Sequence, residues 1–128
     1  MQTPRIRVQL GIPEHTGVDL IVLAGAHAEL RPDGRTVVIA APLWHPPDGP
    51  DYVLADAYRE ALALANARKA RSMAVPAILA RGPWPLERVT RIALAVLQGT
   101  PTTVGEVVVA AGTPAMLERW AEAIARAA

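Results

Sequence analysis

Apolar positions along this chain switch between two periods, and the switch marks out its elements. Between residues 51 and 68, Leu54, Tyr58, Ala61, Leu62 and Ala65 recur every three or four positions. Asp56, Arg59, Glu60 and Asn66 take the other side, which predicts an amphipathic helix. Asp51 stands where a carboxylate can accept from first-turn amides. Arg68, Lys69 and Arg71 follow the far end, where positive charge suits the helix dipole. Residues 72–78 then form a short apolar run closed by Pro76, as a strand buried on both faces would. Pro85 opens a second helix with Val89, Ile92, Ala93, Val96 and Leu97 on its inner face and Gly99 as its stop. Residues 104–110 are rich in β-branched side chains and read as a strand. Thr113 caps the last helix with Pro114 in the favoured first position, and Leu117, Trp120, Ala121, Ile124 and Ala125 make its inner face.

The first forty residues carry no helical period. Arg5–Leu10 alternates, with Ile6, Val8 and Leu10 on one side, as in a strand with one exposed face. Residues 11–17 are a turn-rich loop, and 19–24 are a continuous apolar run. Pro32-Asp33-Gly34 separates residues 27–30 from the apolar strand 36–41, which argues for a hairpin rather than a helical crossover. Residues 44–50 are Pro-rich and aperiodic. The order is three strands, then helix, strand, helix, strand, helix. It predicts one α/β domain over residues 1–128, with a three-layer architecture, a mixed central sheet of about five strands and three main helices.

Composition narrows the chemistry. At 128 residues and 52% apolar, the chain can bury a real core. It contains no cysteine, so disulfides, thiolate catalysis and Cys-based zinc sites are excluded together. A formal charge of +1 offers no global attraction to nucleic acid or to acidic membranes, and neither is expected as a partner. Without a transmembrane-length apolar run or a leader, a cytoplasmic location is expected. The single serine, Ser72, heads a buried strand outside any Gly-x-Ser-x-Gly turn and reads as structural. His15, His27 and His45 lie in separate segments without metal-ligand spacing. Asp33, Asp48 and Asp51 read as turn and cap residues. No catalytic residue, metal or cofactor follows from these patterns.

The helix and the strand after it resemble the core of a macro domain, the module known for binding ADP-ribose. The family's helix pattern L-x-x-A-Y-x-x-A-L-x-x-A is matched by Leu54, Ala57, Tyr58, Ala61, Leu62 and Ala65. Its strand pattern S-[IV]-A-[FV]-P-A-I is matched across Ser72, Met73, Ala74, Val75, Pro76, Ala77 and Ile78. Val18-Asp19-Leu20-Ile21-Val22 is similar to its V-D-A-I-V strand, and residues 38–45, ending in Trp44-His45, to its strand ending in V-G-P-x-W.

The family's ligand-binding parts are thinned here. Ile12, in the turn Gly11-Ile12-Pro13, replaces the aspartate that the family uses on the adenine amino group. Ala26 replaces the asparagine near the distal ribose, and a methyl group can neither orient a water nor hold a hydroxyl. The glycine-rich loop and helices that follow in the family are missing between Ala26 and the hairpin. The second phosphate loop is represented by residues 79–84, where Pro83 lacks an amide proton. Arg81, Gly82 and Trp84 could still hold an anion and stack on a ring, with His45 as a further wall. The other reading of that loop is a connector with Trp84 packed on the core. The resemblance with these losses implies a non-catalytic macro-domain-like protein whose residual cleft takes a nucleotide or other phosphorylated small molecule. A structural or interaction protein without a ligand is the second reading, and an ADP-ribosyl hydrolase the last. Right-handed crossovers are expected to put the helices at 52–68 and 86–98 on one face of the sheet. The C-terminal helix alone is then left to cover the other face, and this loss of helices also predicts a homodimer. It would bury the uncovered sheet face, including Val22, and the hairpin at residues 27–35, unless the loop 11–17 or the segment 44–50 folds over that face.

Overall fold

The computed structural model describes residues 2–40, 51–82 and 84–127. Six strands form one sheet: β1 (Arg5–Leu10), β2 (Leu20–Gly25), β3 (Glu29–Leu30), β4 (Thr36–Ala40), β5 (Ser72–Pro76) and β6 (Glu106–Ala111). Their spatial order is β1-β6-β5-β2-β4-β3, parallel throughout except for β3, which runs antiparallel to β4. Three helices complete it: α1 (Asp51–Ala67), α2 (Leu86–Gly99) and α3 (Pro114–Ala127). The expected α/β class, mixed sheet and three helices are found. The sixth strand is the two-residue arm of the hairpin, too short to register as an apolar run.

Handedness distributes the layers. The crossovers from β4 through α1 to β5, and from β5 through α2 to β6, step toward the same sheet edge, so right-handed connections place both helices on one face. That face holds the main core: Leu20, Val22, Met73, Val75, Val107 and Val109 meet Leu54, Tyr58, Leu62, Val89 and Leu97. The connection from β1 to β2 steps the other way, and its 3-10 turn at Pro13–His15 lies over β2, β5 and β6. Beneath it is a smaller cluster of Val18, Ile21, Ala74 and Val108. The loop 11–17 is thus the thin third layer, the covering that the dimer expectation had named as its alternative. Val22, expected on the uncovered side, is fully buried under the helices.

The last helix sits elsewhere than expected. Reading α3 as the cover of the opposite face is corrected by Trp120, which is fully buried in the main cluster and donates from Nε1 to the Ala77 carbonyl at 3.0 Å. Among the described residues no strand follows α3, so the crossover rule has no hold on it, and it lies beside α2 and β1. Met116, Ala123 and Ile124 pack against the same cluster as Trp120, whereas Ala121 and Ala125 are both exposed. Thr113 does cap this helix, accepting from the Met116 amide at 3.2 Å.

Three polar clamps lock the frame. Asp19 accepts from the Arg71 amide at 2.9 Å, while its own amide donates to Ser72 Oγ at 2.9 Å. Ser72 thereby pins the start of β5 to that of β2, a structural role. Asn66 Oδ1 accepts from Thr102 Oγ1 (2.6 Å), the Thr103 amide (2.9 Å) and Thr103 Oγ1 (3.2 Å), tying the end of α1 to the loop before β6. In the hairpin, Asp33 accepts from the amides of Arg35 and Thr36 and from the Thr36 hydroxyl, and Gly34 takes φ 69°, a conformation that suits glycine.

Candidate functional site

The carboxyl ends of β2 and β4 open onto a cleft of about 270 Å³. Parallel sheets commonly bind ligands there, because the loops diverge at that end. Ala26 follows β2, Ala40 ends β4, and Val53, Asp56, Ala57 and Glu60 come from the first turns of α1. Arg81 enters from the loop after β5. The wall along α1 follows from helical spacing, since 53, 56, 57 and 60 share one face.

The fold supports the Arg81 loop from behind. Tyr58, fully buried, accepts at its hydroxyl from the Leu79 amide at 3.3 Å. Leu79 is itself fully buried, and Gly82 turns the chain with φ 81°. Trp84, 3% exposed, belongs to the main core, and the Arg88 guanidinium lies 5.8 Å from the centre of its ring. The Trp84 amide donates to the Gly82 carbonyl at 3.0 Å, which tightens the turn. Arg88 also reaches Asp51 across α1 and α2. Burial lifts the Tyr58 phenol far above its ordinary range, the Leu79 hydrogen bond opposing only in part.

Of the candidates read from the sequence, Arg81 lies in the cleft, with Gly82 next to it in the same loop. The ring of Trp84 is in the core, as the connector reading of the loop has it. His45, with Trp44 and the rest of residues 41–50, lies outside the described residues, as does Pro83. Ala26 does face the cleft and brings a methyl group to it. Sequence reasoning missed Asp56 and Glu60, the carboxylates of the α1 wall. Their i,i+4 spacing was the available signal, but acids on the polar side of a helix usually read as a solvated face. Chemically the wall offers hydrogen-bond acceptors on α1 and a planar cationic donor on the opposite loop. A wider groove of about 420 Å³ runs between α2 and α3, lined by Arg91, Leu94 and Ala123 among others, away from the strand ends.

Comparison with known proteins places this geometry. The Macro domain family model matches residues 20–93. A macro domain-containing protein from the sno 5′ region of Streptomyces nogalater is 35% identical over 99 residues, covering 66% of this chain and 54% of that protein. The chain therefore spans about half the length of that relative. A mutant of the Oceanobacillus iheyensis macrodomain with ADPR superposes with a TM-score of 0.78 at 18% identity, covering 97% of this chain and 94% of that one. The same macrodomain with ADP gives 0.60 at 27% identity over 71% of this chain and 50% of that one. The family model matches more than half of the chain and the superpositions agree in overall fold, so the chain belongs to the macro domain family.

Proposed function

We propose that this chain is a non-catalytic macro-domain protein that holds a phosphorylated ribose compound of about mononucleotide size. The observation that carries the reading is the cleft at the carboxyl ends of β2 and β4, with Arg81 on one side and Asp56 and Glu60 on the other. A guanidinium matches phosphate oxygens in a two-pronged geometry, and carboxylates accept from ribose hydroxyls. The phosphate then sits toward Arg81 and the sugar toward α1, the arrangement that keeps like charges apart. At about 270 Å³ the cleft is on the small side for a ligand site, which favours a mononucleotide over a dinucleotide. Related macrodomains studied with ADPR and with ADP support a ligand of this chemistry. Ala26 and Ala40 bring only methyl groups to the strand ends, and a methyl group cannot activate water, which supports binding over hydrolysis.

Calorimetric titration against AMP, ribose 5-phosphate, NAD and ADP-ribose tests this. AMP is expected to bind, and Arg81→Ala to weaken it by about tenfold or more, the worth of a charged hydrogen bond. Silence across the whole panel at millimolar concentration would reject the reading in favour of an interaction protein without a ligand. Turnover in an assay for ADP-ribose release from a modified protein would overturn its non-catalytic part.

A further inference from the structure

The hairpin edge of the sheet is self-complementary, and we infer that it pairs with a second copy of this chain about a two-fold axis, extending the sheet across a homodimer. The strand β3 is the outermost in the order, and its residues Glu29 and Leu30 are exposed, Leu30 at 59%. Arg31 donates its amide inward to the Thr36 carbonyl at 2.9 Å. Antiparallel ladders alternate, so the amide and carbonyl of Leu30, one residue earlier, point outward from the sheet. An edge of this kind is a template for another strand unless something guards it.

The side chains specify which strand. An antiparallel pairing centred on Leu30 sets Leu30 against the partner's Leu30 and makes two backbone hydrogen bonds there. In that register Glu29 stands opposite the partner's Arg31, and Arg31 opposite the partner's Glu29. Within one chain these two already meet at 3.5 Å, so the axis gathers four alternating charges. The helix above repeats the pattern. Leu30, Leu64, Glu60 and Arg68 line one groove of about 310 Å³, with Val37 and Ile39 at its base. Glu60, Leu64 and Arg68 are spaced i, i+4, i+8 and so share one face of α1. The two-fold axis of an antiparallel pairing stands perpendicular to the sheet and keeps each α1 on the same side. It therefore brings Leu64 toward the partner's Leu64 and Glu60 toward the partner's Arg68. Acid, leucine, base is thus written twice around one axis, once on the strand and once on the helix.

The opposite edge lacks this symmetry. There β1 presents Arg5 and Arg7, both exposed, and self-pairing centred between them would set arginine against arginine. The acid–base alternation at β3 is what selects a second copy over an unrelated strand.

Charge reversal tests the register. Light scattering and sedimentation across roughly 1–500 μM should show a dimer for the native chain, dissociating in the micromolar range. Glu29→Arg sets two guanidinium groups against each other on either side of the axis, and Arg31→Glu sets acid against acid. Each should weaken the dimer by about tenfold. The double variant restores the alternation and should dimerise like the native chain. Mixing the two single variants should also restore a dimer, since both cross-axis pairs are then opposite in sign. Circular dichroism on each variant verifies the fold, because both positions are exposed at an edge. A native chain that stays monomeric over this range, single variants that dimerise unchanged, or a double variant that stays apart would each overturn the proposal.

Discussion

Replacing Tyr58 by Phe probes the link between the core and the Arg81 loop with almost no change in volume. The ring stays buried, and only the hydroxyl that accepts from the Leu79 amide at 3.3 Å is lost. That amide belongs to a fully buried residue and would lack this acceptor. The cost of an unsatisfied buried donor is about 1–3 kcal/mol, and the length of the bond argues for the lower end, about 1 kcal/mol. For a chain of 128 residues, about 1 kcal/mol corresponds to a fall of about 4 °C in Tm. Alkaline pH should reverse part of this difference. Burial raises the Tyr58 pKa in the folded state, so the unfolded chain ionises first, near its ordinary value of 10.0. The native protein then loses stability as pH rises above that value, and Tyr58→Phe does not share this loss. Urea unfolding at neutral pH and again above pH 10 measures both effects. Hydrogen exchange at the Leu79 amide reports the local change. A variant as stable as the native chain at neutral pH, with Leu79 exchange unaltered, would refute the assignment of the hydroxyl as the loop's anchor.

Other positions give separate checks. Lys69 closes α1 with φ 54°, its amide donating to the Asn66 carbonyl and the Ala70 amide to the Ala65 carbonyl, a helix end that favours glycine. Lys69→Gly should therefore stabilise by about 0.5–1 kcal/mol in chemical unfolding, and a loss of stability would contradict that reading. Asn66→Ala should cost about 2 kcal/mol because three donors lose one oxygen, while Asn66→Asp, which keeps an acceptor, should cost less. Equal losses would show that the oxygen is not the relevant atom. The hydrogen bonds from the Thr36 hydroxyl and the Arg35 and Thr36 amides lower the Asp33 pKa from 3.8 to about 2. Its contribution to the hairpin is complete above the unfolded value and fades as pH falls through the folded one. A carboxyl titration by NMR with its midpoint near 3.8 would contradict the turn geometry.

The sheet and its helices were legible because their signals are local and redundant. Period and stop agree for α2, and Pro32-Asp33-Gly34 predicts the hairpin by turn chemistry alone. The placement of α1 and α2 on one face followed from handedness, a rule that needs a strand at both ends of the helix. The last helix has no such strand after it among the described residues, and with alanine at so many of its positions the inner face around Trp120 was ambiguous by one residue. The site was harder to read. Arg81 stood out as a cation after a strand, but the ring of Trp84 turns inward, a packing choice that no spacing rule encodes. Asp56 and Glu60 look like ordinary solvent-facing acids until β2 and β4 are known to end beside them. The left-handed Lys69 was invisible because the residue that favours that geometry, glycine, is not there.

The most direct test of the binding claim is amide chemical-shift mapping as AMP is added to the isotope-labelled chain. Concerted, saturable shifts at Ala26, Ala40, Val53, Asp56, Ala57, Glu60 and Arg81 are the expected result. Shifts confined to the α2–α3 groove around Arg91, Leu94 and Ala123, or no saturable shifts at millimolar AMP, would contradict a ligand site at the ends of β2 and β4.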